Sequence, residues 1–247
     1  MKISFLLFCL FLFGGCTCQR IYSGEAQIKH TRQLIVVTSK NEAATTAQLH
    51  SFQRKMNGWQ PVFPAFDVTL GRTGLAWGRG LHEEMQGKQK QEGDGKSPAG
   101  IFTFGKAFGY APPGEMSIKL PYVQADEHLE CVDDAQSVYY NLLVDNRLFT
   151  KDWGSSEFMR LKDDQYKWGI FVEHNTPAAR GAGSCIFFHI WKKTGAATSG
   201  CTAMSEENLL KLLGWLDPAA LPLLVQATEK DYAILRERHG FPALPKP

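Results

Sequence analysis

The stretch Ser184-Cys-Ile-Phe-Phe-His-Ile-Trp-Lys-Lys-Thr-Gly-Ala-Ala-Thr-Ser-Gly-Cys-Thr-Ala203 decides how this chain is read. Cys185 to Trp191 is an apolar run of strand character, and it carries His189. Glycine and small residues follow, and Cys201 comes directly after Ser199-Gly200. That length lets the chain fold back and bring the thiol to the imidazole. Thiolate is the nucleophilic form of cysteine, and a histidine beside it makes that form available near neutral pH. Gly200 lets the backbone approach closely, so the N–H groups of Gly200 and Cys201 are candidate oxyanion donors. The chemistry expected is acyl transfer through Cys201, with His189 as general base and acid.

Two other readings compete. On a strand, His189 shares a face with Phe187 and Trp191, which also suits a core histidine bonded to backbone. A metal site fares worse. Cys185 and His189 would stand roughly 13 Å apart along a strand, too far to share one ion. No Cys-x-x-Cys or His-x-x-x-His spacing supports one either. No metal and no cofactor are expected.

Working outward, Leu34–Thr38 reads as a buried strand. Ala43–Met56 suits a short helix or a hairpin, and Pro61–Leu70 suits strands interrupted by Pro64. Arg72–Gly80 is glycine-rich and loop-like. Gly93-Asp-Gly-Lys-Ser-Pro-Ala-Gly100 is a dense turn signal leading into a strand at Ile101–Phe104. It is not a phosphate-binding loop, because Lys90 stands where the first glycine would be. Val138–Val144 is a strand candidate, and Asp152–Leu161 a short helical turn. Trp168–His174 and Cys185–Trp191 are expected to pair, with His174 structural. Ser205–Leu216 is the clearest helix, with Ser205 as N-cap, Glu206 and Glu207 in the first turn, and Asp217-Pro218 as its stop. Leu221–Gln226 returns as a strand, and Asp231–His239 closes as a helix. The sum is one mainly β domain with a few short helices.

Met1-Lys2-Ile3 is a short basic start, and Ser4–Phe13 is an apolar run too short to span a bilayer. Residues 1–15 therefore read as a signal peptide. Gly14-Gly15-Cys16 resembles a bacterial lipobox, with Phe13 where leucine is usual, so Cys16 is expected to carry lipid. The alternative is an ordinary cut near Gly15 or Thr17. Residues 16–31 then form a polar tether, and 32–240 the folded domain. The expected location is the periplasmic side of the cell envelope. Of 6 cysteines, Cys131, Cys185 and Cys201 fall in that domain. In an oxidising compartment Cys131 and Cys185 are candidates to pair, which leaves Cys201 as the odd thiol. Lys and Arg number 27 against 25 Asp and Glu, with no basic stripe, so nucleic acid is not an expected partner. A monomer is expected.

The arrangement His189…Thr198-Ser199-Gly200-Cys201 resembles the active-site motif of the L,D-transpeptidases of the YkuD type, exported bacterial enzymes that remodel peptidoglycan. Gly93–Phe102 resembles that family's upstream Gly-Asp-x-x-Thr-Pro-x-Gly-x-Phe segment. Asp217-Pro218 with Leu223–Gln226 resembles its closing helix-to-strand passage. The likeness runs over about Arg32 to Tyr232, and is closest to a branch with Gly71-Arg-Thr-Gly-Leu-Ala-Trp-Gly78 and Ala107-Phe-Gly109 segments. It implies a β-sandwich or barrel, stem-peptide substrates, Cys201 as nucleophile, His189 as base, and a backbone carbonyl in the cysteine loop orienting His189, with Thr198 as a candidate neighbour. Thr198 replaces the usual serine, and Ser199 stands where many members carry a second histidine. Ala203 replaces an Arg or Asn, and the His–Cys gap is shorter than usual. The resemblance therefore implies three alternatives: crosslinking with an amine acceptor, carboxypeptidase or endopeptidase action with water, or a non-catalytic peptidoglycan-binding lipoprotein.

Overall fold

The structure, a computed structural model, describes residues 24–245. The signal segment, Cys16 and residues 16–23 of the expected tether lie outside the described residues. The rest of that stretch is not tether-like: Gly24–His30 forms helix α1, and Ile28 is buried in the core. Fourteen strands follow in chain order: β1 Gln33–Ser39, β2 Thr46–Lys55, β3 Gly58–Pro61, β4 Phe66–Thr69, β5 Leu75–Trp77, β6 Ser97–Gly109 and β7 Tyr122–Gln124. Then come β8 Leu129–Val132, β9 Leu143–Asp145, β10 Ser156–Phe158, β11 Trp168–Val172, β12 Phe187–Ile190, β13 Thr202–Met204 and β14 Leu223–Thr228. Helices α2 Glu206–Trp215 and α3 Glu229–His239 complete the described chain.

The main sheet runs β1-β14-β6-β11-β12-β13-β4-β2-β3, and β1 also pairs with β2. That last pairing closes the sheet into a barrel, leaving β3 as a flap paired only with β2. β1 reads Leu34-Ile-Val-Val37 without alternation because both of its faces are buried. A second sheet, β10-β8-β9, has three strands.

Helix α2 begins where expected: Ser205 accepts from the Asn208 N–H, and Glu206 and Glu207 occupy the first turn. Its buried face is Leu209, Leu212 and Leu213, which packs α2 on β11 and β12. α2 therefore backs the strand that carries His189. A buried polar chain links β13 to β14 and β6, strands that are not all neighbours in the sheet. Thr202 donates to Gln226 Oε1 (2.8 Å), and Gln226 donates to the Pro98 carbonyl (2.9 Å). Each of these polar groups is thereby satisfied away from water.

Several local expectations are resolved or changed. Of the two readings of Ala43–Met56 the hairpin holds and the helix does not: the segment contains β2, hairpin-paired with β3, and its alternating burial is that of a strand with one wet face. Asp152–Leu161 contains β10 rather than a helical turn, because Glu157 pairs with Cys131 on β8. Of Val138–Val144 only the end is strand, since Asn141 adopts φ 63°, a left-handed conformation that breaks it.

Candidate active site

β12 and β13 lie side by side and parallel, with His189 opposite Ala203. The chain between them, Trp191 to Cys201, loops over the strand ends. It delivers Cys201 two residues upstream of His189's direct neighbour. Ala203 is fully buried, and its methyl group leaves room beside the imidazole. Cys201 and His189 line the same cleft, about 640 Å³ in volume.

The cysteine turn is anchored at one carbonyl. Thr198 Oγ1 and Ser97 Oγ both donate to the Cys201 carbonyl, at 2.6 and 2.8 Å. Ser97 Oγ in turn accepts from the Gly71 N–H (2.8 Å). The upstream Gly93–Phe102 segment therefore reaches the cysteine loop through Ser97. Leu70 and Arg72 clamp Thr198 from outside: Thr198 N donates to the Leu70 carbonyl (2.9 Å), and Arg72 N donates to the Thr198 carbonyl (2.8 Å). At Gly200 an added Cβ would come 3.1 Å from the Lys96 carbonyl, so a side chain there would press on this turn.

Two expected roles change. Thr198 does not reach His189; its hydroxyl serves the turn, donating to Cys201 O and accepting from Gly200 N (3.1 Å). His189 is oriented instead by its own strand, since Nδ1 lies 2.8 Å from the Ile190 carbonyl. A carbonyl only accepts, so Nδ1 carries the proton and Nε2 of the neutral ring is left as the acceptor. The Gly200 N–H is engaged by Thr198, so it is not a free oxyanion donor in this conformation.

Both groups rest neutral. Burial holds His189 down at about 4, against smaller upward pulls from the Ile190 carbonyl and Asp163. Burial pushes the Cys201 thiol well above its ordinary range, and the Glu157 carboxylate adds to this. The Phe187 N–H, 3.3 Å from Sγ, and the Lys90 ammonium pull it back in part. A standing thiolate–imidazolium pair is therefore not what this site holds at rest. At rest the thiol donates to the Cys185 carbonyl (3.6 Å), and His189, whose Nε2 is the acceptor nitrogen, lines the same cleft.

Residues without a sequence signal surround the pair. The Tyr166 ring meets His189 edge-on at 5.2 Å, and its hydroxyl donates to Glu157 Oε2 (2.5 Å). The neighbouring carboxylates Asp133 and Glu92 join burial in raising Glu157 to about 7, partly opposed by the Tyr166 hydrogen bond. Cys131 and Cys185 form a disulfide, Cα–Cα 5.9 Å, which ties β8 to the approach of β12. The Cys185 carbonyl lies 3.6 Å from Cys201 Sγ. Glu157 yields a pH prediction. Below about pH 6 it is protonated and has no charge to act on the thiol; above about 7 its charge opposes thiolate formation. Glu157→Gln and the parent should therefore be alkylated by iodoacetamide at Cys201 at equal rates in acid. Above pH 7 the variant should react faster. Parallel profiles across the whole range would refute the coupling.

His174 is built into structure, as expected. It accepts from Arg79 N at Nδ1 (3.1 Å) and donates from Nε2 to the Ala182 carbonyl (3.0 Å). It thereby joins two loops that line a separate cavity of about 490 Å³. Among the described residues no group of three His, Cys, Asp or Glu is placed to hold a metal, and no helix is long and apolar enough to cross a membrane.

Comparison with known proteins follows the same lines. The family model for the L,D-transpeptidase catalytic domain, YkuD, matches residues 57–225. Curated proteins give no match. Among solved structures, the helical cell shape determining protein Pgp2 from Campylobacter jejuni is similar at TM-score 0.39 and 13% identity. A lysine-to-alanine mutant of Pgp2 is similar at 0.37 and 12%. Each comparison covers 83% of this chain and 54% of the other, so this chain spans about half the length of those proteins. At such values the likeness carries no argument about function. With a match over most of the barrel, the chain belongs to the L,D-transpeptidase catalytic domain family of the YkuD type, a family of peptidoglycan-modifying enzymes.

Proposed function

We propose that this protein is a cysteine-dependent L,D-acyltransferase acting on peptidoglycan stem peptides, with Cys201 as nucleophile and His189 as base. The observation that carries the reading is the shared cleft of Cys201 and His189, with Nδ1 fixed on Ile190 O so that Nε2 is the basic nitrogen. In the first step Sγ attacks the carbonyl of an L-centre joined to a D-amino acid, while its proton passes to Nε2. The backbone N–H of Cys201 faces the developing oxyanion, and Gly200 N–H joins it if it leaves Thr198. The C–N bond breaks, imidazolium gives its proton to the leaving amine, and a thioester remains on Cys201. An acceptor amine then loses its proton to His189, attacks the thioester and restores the thiol. Export through residues 1–15 and a lipid at Cys16 belong to the same reading. A disulfide between Cys131 and Cys185 fits an oxidising compartment and supports export.

The test is incubation of the purified protein with disaccharide tetrapeptide, with mass analysis of both protein and products. An adduct on Cys201 and crosslinked dimers are expected. Shortened stems alone would make water the acceptor, and no adduct with no product would overturn the reading.

A further inference from the structure

We propose that Arg72 binds the terminal carboxylate of the D-residue next to the scissile amide. The inference rests on the stem-peptide reading of the cleft. In that reading the leaving D-amino acid carries a free carboxylate one residue from the carbonyl that Cys201 attacks. The cleft needs a cation at that end. The residue beside His189 is Ala203, fully buried and unable to supply one.

Arg72 lines the same cleft as Cys201, His189 and Thr198. Its backbone N–H is bonded to the Thr198 carbonyl (2.8 Å), and Thr198 is bonded to the Cys201 carbonyl (2.6 Å). Arg72 is therefore two hydrogen bonds from the nucleophile's own turn. Its side chain lies over Gly95, where an added Cβ would fall 3.0 Å from Arg72 Cζ and 3.1 Å from Nε. The absence of a side chain at Gly95 is what lets the fork rest there. No hydrogen bond or ion pair among the described residues holds that guanidinium.

Of the other charges in the cleft, Lys90, Glu92 and Glu157 are engaged, while Asp133 Oδ1 is buried with no hydrogen-bond partner among the described residues. Lys90 Nζ is paired with Asp94 (2.6 Å) and the Gln91 carbonyl (2.8 Å). Glu92 accepts from Tyr140 (2.5 Å) and Ser184 (2.7 Å), and Glu157 accepts from Tyr166 (2.5 Å). Lys192 is the other cation on the lining. It offers a point charge on a flexible stem, whereas a guanidinium meets a carboxylate with two parallel N–H donors.

Binding is measured by calorimetry in Cys201→Ala protein, which takes up substrate without turning it over. The two ligands are disaccharide tetrapeptide with its free terminal carboxylate and the same compound ending in carboxamide. The carboxylate form should bind about 10- to 100-fold tighter, the range of a charge-assisted hydrogen bond. With Arg72→Ala added, both forms should bind at the carboxamide level; with Arg72→Lys the preference should be intermediate. The proposal is overturned if Arg72→Ala keeps the preference, if it weakens both ligands equally, or if Lys192→Ala is the variant that loses it. Because the readout is binding, an inactive wild type would remove the acyl-transfer reading while the Arg72 result stood by itself.

Discussion

Cys201→Ala is expected to abolish turnover of disaccharide tetrapeptide and to leave the protein folded, with only a small downward shift of its unfolding transition. In the proposed mechanism the sulfur is the atom that makes and breaks the acyl bond, so no partial activity should survive. The site is small and buried, and losing one sulfur there costs about 1 kcal/mol of stability. His189→Gln, which keeps a polar side chain of similar reach, should lower kcat/KM by about 100- to 10,000-fold, the range of a lost general base. The acid limb of the wild-type kcat/KM profile should fall near pH 4, where burial has placed His189. Above that pH Nε2 is free to accept the thiol proton; below it the ring is already protonated. Full activity in Cys201→Ala would sink the proposed mechanism, and an acid limb near the ordinary histidine pKa would mean that the imidazole is wetter than its surroundings here.

The second large effect is on stability. Replacing Cys131 and Cys185 together by alanine is expected to cost about 4 kcal/mol, the chain-entropy value for a bridge closing 54 residues. The bridge spans from the small β10-β8-β9 sheet to the residue before Ile186. Its loss frees both Glu157, which pairs with Cys131, and Cys185, whose carbonyl lies near Sγ. Denaturant melts at matched pH give the stability. Iodoacetamide labelling of Cys201, expected to quicken, gives the loosening at the thiol. An unchanged midpoint would show that the barrel holds this sheet without the covalent tie.

Much of the architecture was legible in the residues. The unbroken apolar run at Leu34–Val37, the N-cap and acidic first turn at Ser205–Glu207, and the pairing of Trp168–Val172 with Phe187–Ile190 all follow from local pattern, and all are observed. Where local pattern failed, a distant partner had the deciding vote. Ala43–Met56 suits a helix or a hairpin by composition, and β1, β3 and β4, each offering it a ladder, decide for the hairpin. Glu157 sits in a strand because β8 lies beside it.

By itself, the sequence picked out His189 and Cys201, which the structure places on one cleft. A histidine on an apolar strand and a cysteine behind Ser199-Gly200 are local facts, and so is the turn-rich segment ending in Ser97-Pro98. Only the tertiary structure decided how the pair is held. Parallel pairing of β12 with β13 sets Ala203 beside His189, and that choice of direction cannot be read from a loop's length. The Ile190 carbonyl, not Thr198, fixes the ring, because strand geometry points Nδ1 along its own backbone. Arg72, Glu157 and Tyr166 come from segments remote in the chain, so no spacing rule could have gathered them. Their shared cleft exists only once the barrel has closed and excluded water. The same exclusion leaves Cys201 and His189 both neutral at rest.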